Sequence, residues 1–114
     1  MLLASTIPNP PTPKLEDCDV IWKTPSADAA GSMPIGNGEV VLNVWVEDKT
    51  GDLLFYIART DALSEISRFL KLGRIRVHLS PAPFKGADFR QHLHLRDGTI
   101  EITGGDAKIG RAHV

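Results

Sequence analysis

Cysteine is almost absent: Cys18 stands alone in 114 residues, so no internal disulfide framework can hold the fold and the redox compartment is left open. Nothing in the sequence supplies Cys18 with a base partner for nucleophilic chemistry, and it reads as an inert thiol. Long apolar runs are missing too. None approaches the ~20 residues of a membrane-spanning helix, and Met1-Leu2-Leu3-Ala4 is too short and uncharged for a secretory leader. Charge of one sign is also lacking: thirteen Lys and Arg stand against fourteen Asp and Glu, for a formal net charge of −1. Scattered in this way, the charges give no cationic face to neutralise a phosphate backbone or an anionic bilayer. Neither nucleic acid nor membrane is expected as a partner.

What is present is 42% hydrophobic residues, an ordinary content for one globular domain. Four prolines between Thr6 and Pro13 disfavour helix and ladder pairing, so residues 1–14 read as an extended or disordered lead-in and the fold begins near Leu15. Residues 15–108 carry the pattern of strands. Asp19-Val20-Ile21-Trp22 is a short β-prone run, followed by a loop that leads through Pro34 to Gly36-Asn37-Gly38. Glu39–Val46 and Leu53–Ala58 flank the turn-forming Asp48-Lys49-Thr50-Gly51-Asp52, which predicts an antiparallel hairpin. Ile75, Val77 and Leu79 alternate with Arg74, Arg76 and His78, and Pro81 and Pro83 end that strand. Phe89–Arg96 and Thr99–Thr103 alternate on either side of Asp97-Gly98, a second hairpin signal. Between them, Arg59–Lys71 fits a long loop with a helical turn, because Leu63, Ile66 and Leu70 recur at helical spacing beside capping-type residues. Residues 109–114 follow neither period and read as a non-native tail of the kind translated from a synthetic adapter.

These runs define an all-β chain whose antiparallel sheets form part of a large β-sandwich, with one long loop or helical turn. Val40, Leu42, Val44 and Val46, with Leu53, Phe55 and Ile57, make an apolar face that needs a covering sheet. About six strands are too few to supply one, so the chain reads as a partial domain.

Several residue groups suggest chemistry. Gly36-Asn37-Gly38 joins two flexible positions to a side chain that can donate and accept, a turn able to hold a polar ligand or simply to turn. Asp61 and Glu65 are a carboxylate pair, but acids so placed in a loop act more often as solvated or capping groups than across a scissile bond. His92 and His94 project from one strand face, with His78 on a candidate neighbouring strand. Arg90 and Arg96 share that face and would repel a dication, so no metal site is expected and the histidines read as exposed. Trp22, Trp45, Phe55 and Tyr56 lie within β runs and read as core rather than as a sugar platform.

Beyond the single motifs, the tracts SMPIGNGEVVLNVWVE, LLFYIARTDALSE, LKLGRIRVHLSP and FRQHLHLRDGTIEI stand in one order, after Ile21-Trp22-Lys23-Thr24-Pro25-Ser26. That order resembles the N-terminal domain of glycoside hydrolases that join a large β-sandwich to an (α/α)6 barrel, nearest the fucosidase-like branch. Two positions depart from the family pattern: Val40 and Val41 stand where a third glycine is frequent, and Leu63 where a tryptophan is. The resemblance implies a domain that has no catalytic residues and needs no cofactor. It would brace a downstream catalytic barrel of the same chain and lend Asn37, Asp61, Ser64 and Glu65 to loops near a carbohydrate substrate. It also implies a secreted or periplasmic parent protein. The alternative is a free-standing carbohydrate-binding or adhesion module, since sandwich folds serve many functions.

Overall fold

In a computed structural model the chain is all-β. The structure describes residues 8–86, 88–105 and, for the backbone alone, 107–113. Eight strands form two four-stranded antiparallel sheets, and no α-helix occurs among the described residues. The strands are β1 (Val20–Trp22), β2 (Met33–Gly36), β3 (Val40–Val46), β4 (Leu53–Leu63), β5 (Phe69–Val77), β6 (Arg90–His94), β7 (Thr99–Gly104) and β8 (Ala107–His113). Sheet one has the order β1-β6-β7-β8 and sheet two the order β2-β3-β4-β5.

Three segments differ from the sequence reading. Met33–Gly36, expected as loop, is strand β2, paired through Met33↔Val44 and Ile35↔Leu42. Pro34 is tolerated because β2 lies at a sheet edge, where a missing N–H breaks no second ladder. Arg59–Lys71 is not a long loop with a helical turn: β4 continues to Leu63, β5 starts at Phe69, and Leu63 pairs with Phe69. The helical spacing of Leu63, Ile66 and Leu70 arises because a turn at 64–68 interrupts two strands, with Ser67 at φ 57° and its N–H donating to Ser64 O at 2.9 Å. A register shift leaves Leu72 as an extra residue between Gly73, which faces Ile57, and Lys71, which faces Ala58. Of the segment set aside as a tail, residues to His113 belong to β8, whose backbone pairs with β7. Residue 114 and residues 1–7 of the lead-in lie outside the described residues.

The core forms where the sheets face each other. Met33, Ile35, Val44 and Val46 of sheet two pack with Ile100 and Ile102 of sheet one, and Phe84 and Phe89 from the β5–β6 connection join them edge to face. Gln91 is buried among these apolar groups and donates from Nε2 to the carbonyl of Val44 at 3.2 Å, a polar tie between the sheets. The apolar face of β3 is therefore covered, within this chain, by a sheet whose strands β1, β6 and β7 the sequence indicates and whose β8 it does not.

The cover is lopsided. Cross-strand partners share a face, so Met33, Val44, Phe55 and Ile75 form one row across sheet two. Along that row Met33 and Val44 are buried, Phe55 is half-buried and Ile75 is 44% exposed. Sheet one thus lies over β2 and β3 and leaves β5 bare. Beyond Arg59, the last β4 residue paired with β3, the β4–β5 hairpin runs on as a two-stranded ribbon.

Gly104 shows how closely the β5–β6 connection is seated: a Cβ there would stand 2.5 Å from the Pro83 carbonyl oxygen. Gly104→Ala should therefore destabilise the fold by about 1–3 kcal/mol through overpacking. Phe84→Ala, which empties a fully buried site, should cost about 3–5 kcal/mol. Chemical denaturation of both variants beside the parent checks these values, and parent-like midpoints would remove the connection from the core.

Candidate functional site

The loops singled out in the sequence lie at one end of sheet two. Asn37 occupies the β2–β3 turn, where its Oδ1 accepts from the backbone N–H groups of Glu39 and Val40, each at 2.9 Å. Gly38 follows at φ +95°, a left-handed conformation that glycine adopts without strain. The Glu39 carbonyl accepts from Thr60 N–H at 2.9 Å, which sets this turn beside Asp61. Asp61 is ion-paired with Arg59 at 2.9 Å, both exposed. Ser64 lies farther out on the ribbon, where its Oγ accepts from Arg68 N–H at 3.1 Å and closes the hairpin turn; Glu65 beside it is exposed. Asn37 and Asp61 thus come to one end of the sheet, and Ser64 and Glu65 sit at a ribbon tip.

Trp45 and Tyr56 offer no open platform on sheet two, and the exposed aromatic there is Phe69, on the β4–β5 ribbon. Trp45 is 3% exposed, Tyr56 lies 5.3 Å from it ring to ring, and the Lys71 ammonium sits 4.6 Å over Tyr56. At the opposite end of the sheet, Arg76 Nη1 meets Asp52 Oδ2 at 2.6 Å and Glu47 Oε2 at 3.0 Å, while His78 Nδ1 lies 2.7 Å from Asp52 Oδ1. His78 therefore belongs to the β3–β4 turn network of sheet two and is not a neighbour of His92 and His94.

The densest polar cluster lies on sheet one. His92 and His94, two residues apart on β6, face the side away from the core, with Glu101 directly opposite His92 on β7. Asp19, just before β1, completes the group. Its Oδ1 accepts from Leu95 N–H at 2.9 Å, and its Oδ2 lies 2.9 Å from His92 Nε2 and 3.7 Å from His94 Nδ1. His94 Nε2 lies 3.3 Å from Glu101 Oε2, and the two imidazole rings stand 3.7 Å apart. A cavity of about 140 Å³ adjoins the cluster, lined by Arg90, His92, Glu101 and Thr103.

The histidines are thus not the exposed pair expected: their side chains are 17% and 24% exposed. Arg96, expected to crowd them, turns away to pair with Glu16 at 2.8 Å. The sequence reading found the shared face of His92 and His94 but missed Asp19, which it took as part of a strand. No local signal in the sequence marks this role, because its partner His92 is 73 residues away.

The environment holds several carboxyls below their ordinary values. For Asp19 the Leu95 N–H is the main cause, ahead of His92. For Glu47 and Asp52 it is the hydrogen bonds from Arg76. Those two carboxylates in turn raise the Arg76 guanidinium above its usual range.

Fold and site together define the class: a two-sheet antiparallel β-domain of sandwich type. Within it, the chain belongs to the family described as "Domain of unknown function (DUF5703)", whose N-terminal model matches residues 21–113. Comparison with the curated proteins and with the solved structures gives no match. No helix among the described residues is long and apolar enough to cross a membrane.

Asn37→Ala removes the acceptor for two backbone donors and should destabilise the fold by about 0.5–2 kcal/mol, read as a lowered denaturation midpoint. A carboxyl whose pKa folding lowers stabilises the fold above its unfolded value and ceases to do so as the pH falls through the folded value. The contribution of Asp52 and Glu47 should accordingly be full above their unfolded values near 3.8 and 4.5 and fade below them. Arg76→Ala should flatten this acid limb of the stability profile, and an unchanged limb would show that the network contributes nothing.

Proposed function

We propose that this is a non-catalytic N-terminal sandwich domain of a glycoside hydrolase, which braces a catalytic barrel and lends loops near its substrate mouth. The observation that carries the bracing role is the bare β4–β5 ribbon. Leu63, Ile66, Phe69, Leu70, Leu72 and Ile75 are 44–77% exposed, although they are large and apolar and follow one another along one arm. An apolar arm of this kind marks a surface that another body covers. The sugar side of the reading rests on the resemblance of the ordered tracts to (α/α)6-barrel glycoside hydrolases. Bracing is favoured over sugar binding by the domain itself because Asn37 Oδ1 is occupied by backbone donors, Trp45 is buried, and the exposed aromatic Phe69 stands within the apolar arm.

The test compares the chain alone with the chain extended by the region that follows it in its gene. Alone, it should self-associate in light scattering, and Phe69→Ser with Leu72→Ser should shift it toward monomer. Extended, it should be monodisperse and release the aglycone from aryl glycosides, with the double variant lowering stability. A monomeric parent chain unaffected by the double variant would contradict the bracing role. An extended protein without glycosidase activity would contradict the enzyme class, and glycan binding by the isolated chain would favour the free-standing module.

A further inference from the structure

From the Asp19, His92 and His94 cluster we infer a binding site for a divalent transition-metal ion, with zinc as the best-fitting case. The donor atoms are Asp19 Oδ2, His92 Nε2 and His94 Nδ1, and one ligand atom from each residue lies within 4.8 Å of the others. Tetrahedral zinc with bonds of about 2.0–2.1 Å needs ligand atoms about 3.3 Å apart. The separations from Asp19 Oδ2 to the two nitrogens, 2.9 and 3.7 Å, straddle that value. The three donors are therefore grouped closely enough for side-chain rotation to bring them onto one ion.

Ligating histidines usually donate their other ring N–H to a carboxylate, which fixes tautomer and orientation. His94 has that arrangement: with Nδ1 toward Asp19, its Nε2 faces Glu101 at 3.3 Å. Asp19 is held likewise, since Leu95 N–H engages Oδ1 and leaves Oδ2 toward the imidazoles. The cavity beside His92, one of the three donors, has room for a water. The site lies on the side of sheet one away from the core, apart from the β4–β5 ribbon, so it does not depend on the bracing role.

The experiment titrates the full 114-residue chain with zinc by calorimetry and with cobalt(II) by visible absorption, where tetrahedral N/O ligation gives intense bands. One ion per chain and a raised melting temperature are expected. His92→Gln, His94→Gln and Asp19→Asn should each weaken binding at least about tenfold, and His78→Gln should not. Asn at position 19 keeps an acceptor for Leu95 N–H, and matching circular dichroism spectra separate loss of binding from loss of fold. Absence of saturable binding, or equal weakening by His78→Gln, would overturn the inference.

Discussion

The structure depends on how far one sheet reaches across the other. Sheet one covers β2 and β3, where Met33, Val44 and Val46 meet Ile100, Ile102 and the two phenylalanines of the β5–β6 connection. It does not reach β5. Burial of apolar surface drives association of the two layers, and the side chains beyond that overlap gain nothing from it. The same sheet therefore has a packed half and a bare half, set by register and strand order rather than by composition.

This division orders the rest of the molecule. Asn37 and Ser64 close turns with backbone hydrogen bonds, so the loops near the ribbon are held in shape by their own residues. The Arg76, Asp52 and Glu47 network holds the other end of the same sheet, bringing the β3–β4 turn against the last residues of β5. The histidine cluster occupies the outer face of sheet one, where the first described strand is bound to β6 through Asp19 as well as through the ladder. Packing, scaffold loops and the candidate metal ligands thus fall on three separate surfaces.

Much of this was legible locally. The alternation in Val40–Val46, Leu53–Ala58 and Thr99–Thr103 and the Asp97-Gly98 turn carry the all-β class, because period-two burial is a property of neighbouring residues. The strand β2 was hidden by Pro34, whose cost depends on an edge position that only the fold reveals. The start of β5 was hidden because a turn between two strands can mimic helical spacing. The covering sheet was undercounted because β8 carries no alternating pattern in sequence. Asp19 was missed for a different reason: its partner His92 is 73 residues away, and a contact at that range leaves no local mark.

The division of sheet two into packed and bare halves is the claim on which the functional reading turns. Hydrogen–deuterium exchange of the chain, diluted until it is monomeric, measures it strand by strand. Slow exchange is predicted for Val44, Val46, Ile100 and Ile102, with rapid exchange across residues 66–72 of the ribbon. Ribbon amides as protected as those of β3 in the monomer would contradict the account, because the arm would then be covered within this chain and would have no need of a partner.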